Sequence, residues 1–204
     1  MVSMTVSHNL RRVARRIARI QKRQIPFAAS GALNDTVFQV RKRIVGRTWP
    51  RAMKVRNRRF ASAAFRVEKA NKRTLRARLF DKLGRASMAL HATGGTKKPR
   101  GGHLAVPSDN VRRTGTGKVP AKKRARVILS TDKAFKAPMR TGNIGVFEKT
   151  GSKKNRKVRL VHTLVRRAPI RKRFPFYEDA ESTSRRAFPN NFSRRLARAL
   201  ATAR

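Results

Sequence analysis

The chain has 204 residues and a formal net charge of +45, from 54 Lys and Arg against 9 Asp and Glu. Two cations bridged by every acid would still leave most bases without an internal partner, and such self-repulsion opposes a compact state unless a polyanion or an acidic neighbour relieves it. The absence of Cys excludes disulfides and thiolate metal centres, which fits a reducing compartment, and no apolar run approaches the roughly 20 residues of a spanning helix.

The N-terminus MVSMTVSHNL lacks the apolar core of a secretory signal. Its Arg-rich continuation is like a transit peptide, but the bias persists to Arg204 and is therefore assigned to the mature protein. The length predicts one domain with arms: a basic helical segment over 1–46, an α+β core over 47–92 and 124–204, and a Gly/Lys-rich loop or arm over 93–123.

Residues 5–23, TVSHNLRRVARRIARIQKR, place Val6, Leu10, Val13, Ile17 and Ile20 at alternating spacings of four and three, one narrow apolar stripe on a helix. The stripe is expected to pack on the protein itself, leaving Arg11, Arg12, Arg15, Arg16 and Arg19 as an anion surface. Ile25-Pro26 ends that helix, with Pro26 suited to the first turn of the next. Leu33, Val37, Val40 and Ile44 then mark a second helix with Gly46 as its stop, and Phe38 lies off their stripe.

After Trp49-Pro50 a short helix is expected in RAMKVRNRRF. A hairpin follows, AAFRVEKA and TLRARLFD about Asn71-Lys72, with Phe65, Val67, Leu75, Ala77 and Leu79 on its buried side. Ser87–Ala92 reads as a further strand. The stretch from Thr93 to Lys123 buries little on its own and reads as a long loop or arm, either facing nucleic acid or another subunit or, equally, a tolerated insertion. ARVILS resumes as a strand, and NIGVFEKTG with RKVRLVHTLV forms a hairpin whose inner side holds Val146, Val158, Leu160, His162 and Leu164.

Arg173–Ala187, RFPFYEDAESTSRRA, gathers three of the nine acids, Glu178, Asp179 and Glu181. After Pro175 these suit a first helical turn, where carboxylates complement the helix dipole. Phe174, Phe176 and Tyr177 offer an aromatic plug, so Phe174, Phe176, Tyr177, Glu178 and Asp179 read as a structural anchor. Phe188-Pro189 is expected to interrupt this helix, and a last one to start with Asn190 or Asn191 as cap and Phe192, Leu196 and Leu200 on one side. The fold expected is α+β: N-terminal helices and a C-terminal helix packed on a small antiparallel β-sheet, with a long basic loop.

Catalytic and metal chemistry find little support. A metal nuclease needs several converging carboxylates, and dipole complementation with pairing to Arg173 or Arg185 explains the Glu178 cluster more simply. His8, His91, His103 and His162 lack paired ligand spacing. TGTGKVP lacks the full phosphate-loop spacing and a Ser or Thr after Lys118. Neither an enzyme nor a metal or other cofactor is expected. What remains is phosphate-type electrostatics without base-reading motifs. Few aromatics interleave with the basic runs, so a duplex backbone or an acidic protein suits them better than stacked single strands.

The order of features resembles the bacteriophage minor tail proteins of the lambda Z type, a tail-completion family. The likeness runs through QIPFAASGALNDTVFQVRKRI, WPRAMKVRNRRF, VEKANKRTLRARLFDKL, GVFEKTGSKKNRKVRLV and PFYEDAESTSRRAFPNNFSRRLARAL. The 93–123 arm is longer than the family pattern. The resemblance implies a structural virion protein at the head-tail junction or neck, made in the host cytoplasm. It implies a homo-oligomeric ring on the order of six or twelve copies, with portal, connector or tail-tube proteins as partners, genomic double-stranded DNA in its lumen, and no membrane. A short-tailed phage neck protein is of similar design. Arg11, Arg12, Arg15, Arg16, Arg19, Lys97, Lys98, Arg100, Lys122, Lys123, Arg124, Lys153 and Lys154 are the expected contacts to nucleic acid or acidic partners. The alternative reading is a ribosomal protein that threads basic arms into rRNA.

Overall fold

The computed structural model describes residues 18, 20–84, 87–99, 101–152 and 155–202. A π-helical turn, Ile20–Gln24, leads into α1 (Ile25–Arg43), a second π-helical segment (Ile44–Thr48), α2 (Trp49–Ala52) and α3 (Arg58–Ala64). Then come β1 (Phe65–Glu68), β2 (Arg78–Asp81), α4 (Met88–Thr93), β3 (Gly95–Lys97) and β4 (Leu104–Pro107). A 3₁₀ turn (Ala121–Lys123), α5 (Ala125–Ile128), β5 (Ala134–Pro138), β6 (Ile144–Thr150), β7 (Lys157–Val165), β8 (Ala168–Ile170) and α6 (Phe176–Ala201) complete the chain. The fold is α+β, with helices at the N- and C-terminal ends of the sequence and a small antiparallel sheet. It divides into two units: residues 1–53, 59–84 and 175–204 form one, and 54–58 with 85–174 the other. Among the described residues no helix is long and apolar enough to cross a membrane.

In the first unit α1 packs along α6. Pro26 occupies the first turn of α1, where its missing N–H leaves no bond unmade. Ala28, Ala32 and Ala199 are buried, and these small side chains let the helices approach. At Gly31 the Arg195 side chain lies across the helix, so that a Cβ there would be 3.2 Å from Arg195 Cδ. Polar groups then fix the register. Asn191, 3% exposed, donates to Thr36 Oγ1 at 3.0 Å and accepts from Gln39 and Arg194. Asp35 receives both Nε and a terminal nitrogen of Arg195 at 2.7 Å, with Arg194 at 3.3 Å.

Gly46 does not stop the helix. An i→i+5 turn is wider than an α turn, so Trp49, five residues beyond Ile44, returns to the same side, and Ile44, Thr48 and Trp49 are all buried. Trp49 then meets Phe60 and Phe65 at ring separations of 5.6 and 6.4 Å. The expected β1–β2 hairpin forms, pairing Val67 with Leu79. Its buried side is narrower than the alternation predicts, because Leu75 precedes β2 and is exposed. Arg41 seals the hairpin's start, donating to the carbonyls of Ser62 and Phe65, and the Asn34 amide pairs with both backbone groups of Ala70. The break expected at Pro189 is absent. Helix α6 runs through it, held on either side by the stacked Phe188–Phe192 pair and by buried Asn191.

The second unit holds the four-stranded antiparallel sheet, in order β4-β7-β6-β5, over a core of Val111, Ile128, Val146 and Val161. The β6–β7 hairpin is as expected, except that a bulge lies beside Val146/Phe147. The extra residue breaks strict alternation, so Val161 and His162 are both buried while Val158 faces solvent. Two stretches read as strands are helical. Ser87–Ala92 supplies α4 from good helix formers and ends at Gly94 with φ +79°. ARVILS supplies α5, whose Ala125 and Ile128, three residues apart, are buried. The 93–123 stretch contributes more than a loop: β4 is an edge of the sheet, and β3 pairs with β8 in a separate two-stranded ribbon.

Candidate anion-binding surface

Arg11, Arg12, Arg15, Arg16, Arg19, Arg100, Lys153 and Lys154 lie outside the described residues. Lys97 ends β3 and is exposed, as are Lys98, Lys122 and Arg124. Lys123 is differently placed. Its ammonium lies 3.1 Å from Glu148 Oε1, while Arg159 donates twice to Oε2, at 3.1 and 2.7 Å. The Arg159 bonds foremost, and then Lys123, hold the Glu148 carboxyl below its ordinary range against the opposing effect of burial. Lys123 therefore has its charge balanced within the fold, and the exposed neighbours Lys122 and Arg124 are better placed for an outside anion.

The acids at the start of α6 are structural in their geometry. Glu178 and Asp179 occupy its first turn. Asp179 Oδ2 accepts from Thr48 Oγ1, itself 2% exposed, and Oδ1 lies 3.9 Å from Arg43. Glu181 pairs with Arg185 one turn on, at 2.7 Å. Phe174 is 1% exposed, with its N–H bonded to the His91 carbonyl. Phe176 stacks on Phe65 at 5.7 Å, and Tyr177, 57% exposed, sets its ring edge-on to Phe176. Among the described residues no three His, Asp or Glu side chains gather as a metal site needs.

The residues that sequence reasoning passed over are in RRAPIRKR, 166–173, where five of eight residues are basic. Antiparallel pairing of Gly95 with Ile170 and Lys97 with Ala168 brings Lys97 and Lys98 beside Arg166 and Arg167. Arg171 and Arg173 follow the other end of β8, and all six are exposed. Arg166 and Arg167 also line a cavity of about 240 Å³ with His103 and Asn143. A second cavity of about 500 Å³, sharing His103 and Leu164, adds Arg126 and Lys136 over a floor that includes Ala105 and Leu129. Neither lining contains an acid. The density of bases in 166–173 was visible in the sequence, but its partner strand, some seventy residues earlier, was not.

Two imidazoles in this unit register their surroundings. Burial lowers the proton affinity of His162, which is 2% exposed. Burial does the same at His91, reinforced by the charges of Arg173 and Lys97. The second effect reports a positive field at the ribbon. No protein-family model matches the chain, and no curated protein or solved structure matches it either.

Proposed function

We propose that the chain is a non-enzymatic structural protein of a tailed-phage virion, a tail-completion or neck component at the head-tail junction. Copies form a closed ring by heterologous contacts, assembled in the host cytoplasm against portal, connector or tail-tube proteins. Its basic surface meets genomic double-stranded DNA in the lumen or acidic faces of those neighbours.

The observation that carries this reading is how the few acids are used. Asp35, Glu148 and Asp179 are each tied to cations of the protein's own framework, so the excess of +45 is left to surface bases that need an external anion. The resemblance to the tail-completion family supplies the setting. Mass spectrometry of purified virions, with gold-labelled antibody in micrographs, tests it: the chain is expected in particles, at one end of the tail. Absence from particles, or co-sedimentation with ribosomes in its place, overturns the proposal in favour of the rRNA-binding alternative.

A further inference from the structure

We propose that the β3–β8 ribbon and its flanking cations form the element that docks on the phosphate backbone of duplex DNA, with the ribbon set into the major groove. This rests on the reading that the basic surface meets nucleic acid, and it assigns that contact to one place.

The ribbon's paired positions hold no aromatic residue and one large aliphatic one, Ile170. Gly95, Thr96, Ala168, Pro169 and Ile170 form five of its six paired positions, with Lys97 the sixth, and β3 is exposed along its whole length. A two-stranded ribbon is one of the elements the major groove admits. Cations stand at both ends: Lys97, Lys98, Arg166 and Arg167 at one, Arg171 and Arg173 at the other. A strand runs about 3.3 Å per residue, so Arg167 and Arg171, the facing members of the two groups on β8, are separated by roughly 13 Å, on the scale of the approximately 12 Å major-groove width. They are therefore spaced to reach phosphates on its two walls. Four of the six are Arg, whose planar fork binds phosphate oxygens bidentately.

Charge complementarity alone would also suit an acidic protein. Stable protein interfaces, however, centre on buried aromatic or large aliphatic anchors, and Ile170, half-buried, is the only large apolar residue among the paired ribbon positions. A phosphate backbone needs no such anchor. Burial foremost, and then the nearby charges of Arg173 and Lys97, lower the proton affinity of His91, which places its imidazole within reach of the ribbon's cations.

The full-length protein is titrated with a fluorescent duplex of mixed sequence by anisotropy over a range of salt concentrations. The variant Lys97→Ala/Arg166→Ala/Arg167→Ala/Arg171→Ala is compared with a charge-matched control on the other unit, Arg47→Ala/Arg51→Ala/Arg66→Ala/Arg76→Ala, all exposed residues. Each lost phosphate contact lowers the slope of log K against log salt by about 0.9, so the ribbon variant is expected to lose about 3 to 4 in slope and the control less than about 1. Equal losses in both overturn the assignment, since they mean that any part of the surface serves. The His91 imidazole, followed by NMR, is expected to gain proton affinity when DNA is added to the native protein and not to the ribbon variant. A polyglutamate chain that shifts His91 as far at equal charge concentration makes the ribbon an acidic-protein site and overturns the inference. Presence in virions without ribbon-dependent DNA binding sinks this inference alone. Ribbon-dependent binding by a chain absent from virions sinks the junction reading alone.

Discussion

Replacing Asp35 by Asn removes the charge that ties α6 to α1 while keeping the size of the side chain. Asp35 receives two Arg195 bonds at 2.7 Å and one from Arg194 at 3.3 Å, and its side chain is 22% exposed. A hydrogen bond to a charged group contributes about 1.5–3 kcal/mol. Partial exposure of Arg195, 36%, places the Asp35→Asn loss near the low end, about 2 kcal/mol, whereas Arg194→Ala, acting on a side chain 68% exposed, should cost under about 1 kcal/mol. In thermal unfolding of a chain of 204 residues, 2 kcal/mol corresponds to a fall in Tm of roughly 4–8 °C. The dependence on pH has a definite sign. The Arg195 bonds foremost lower the folded-state pKa of Asp35 below its ordinary 3.8. The stabilisation is therefore complete above that value and lost as pH falls through the lowered one. The Tm gap between native protein and Asp35→Asn should be constant from pH 7 to about 5 and close below about 4. Equal losses from Asp35→Asn and Arg194→Ala, or a gap unchanged at pH 3, would refute the assignment of the bond's strength to the Arg195 fork.

His162→Leu should flatten part of the acid limb of stability. Burial lowers the folded-state pKa of His162 beneath its ordinary 6.5, so its contribution is present above that value and lost as pH falls below it, which chemical denaturation at pH 7 and pH 5.5 will show as a smaller difference in the variant. Gly145→Ala should cost about 1–3 kcal/mol by overpacking, read from urea midpoints, because its Cβ would lie 2.5 Å from the Phe147 ring, already stacked on Phe135. Pro189→Ala should act oppositely. Pro189 is exposed inside a continuous helix, and restoring the missing hydrogen bond is expected to add about 1–3 kcal/mol, also seen in urea. A loss of stability there would mean that a Pro-induced bend is needed for the packing of α6.

The helical stretch around Val37, Val40 and Ile44 and the β1–β2 hairpin were legible because burial follows a simple period there, and the β6–β7 pairing was legible from its two apolar runs about a basic turn. The misread helix ends share a cause, since side-chain packing overrode a local breaker. Gly46 and Pro189 are ordinary breakers, yet Trp49 packing on Phe65 and the Phe188–Phe192 stack hold helix across them. SMALHA and ARVILS are short apolar runs whose period cannot separate strand from helix. The bulge that turns Val161 and His162 inward together leaves no mark in composition. At the candidate surface, Lys97 and Lys98 could be singled out by charge, but not their apposition with Arg166 and Arg167, which depends on a pairing between distant strands.

The placement of nine acids among 54 bases separates the part of the charge that shapes the fold from the part left for a partner. Asp35 joins α1 to α6, Asp179 joins the start of α6 to Thr48, and Glu148 joins β6 to Arg159 on β7 and to the turn carrying Lys123. Each acid serves two elements, and each sits where a cation would otherwise be partly buried without a counter-charge, the costlier arrangement. Arg166, Arg167 and Arg171 stand instead exposed beside the β3–β8 ribbon, where water solvates their charges. A polyanion can therefore replace solvent and counterions there without competing with an internal salt bridge. The same acids that stabilise the framework are thus too few, and too deeply engaged, to neutralise the ribbon from within.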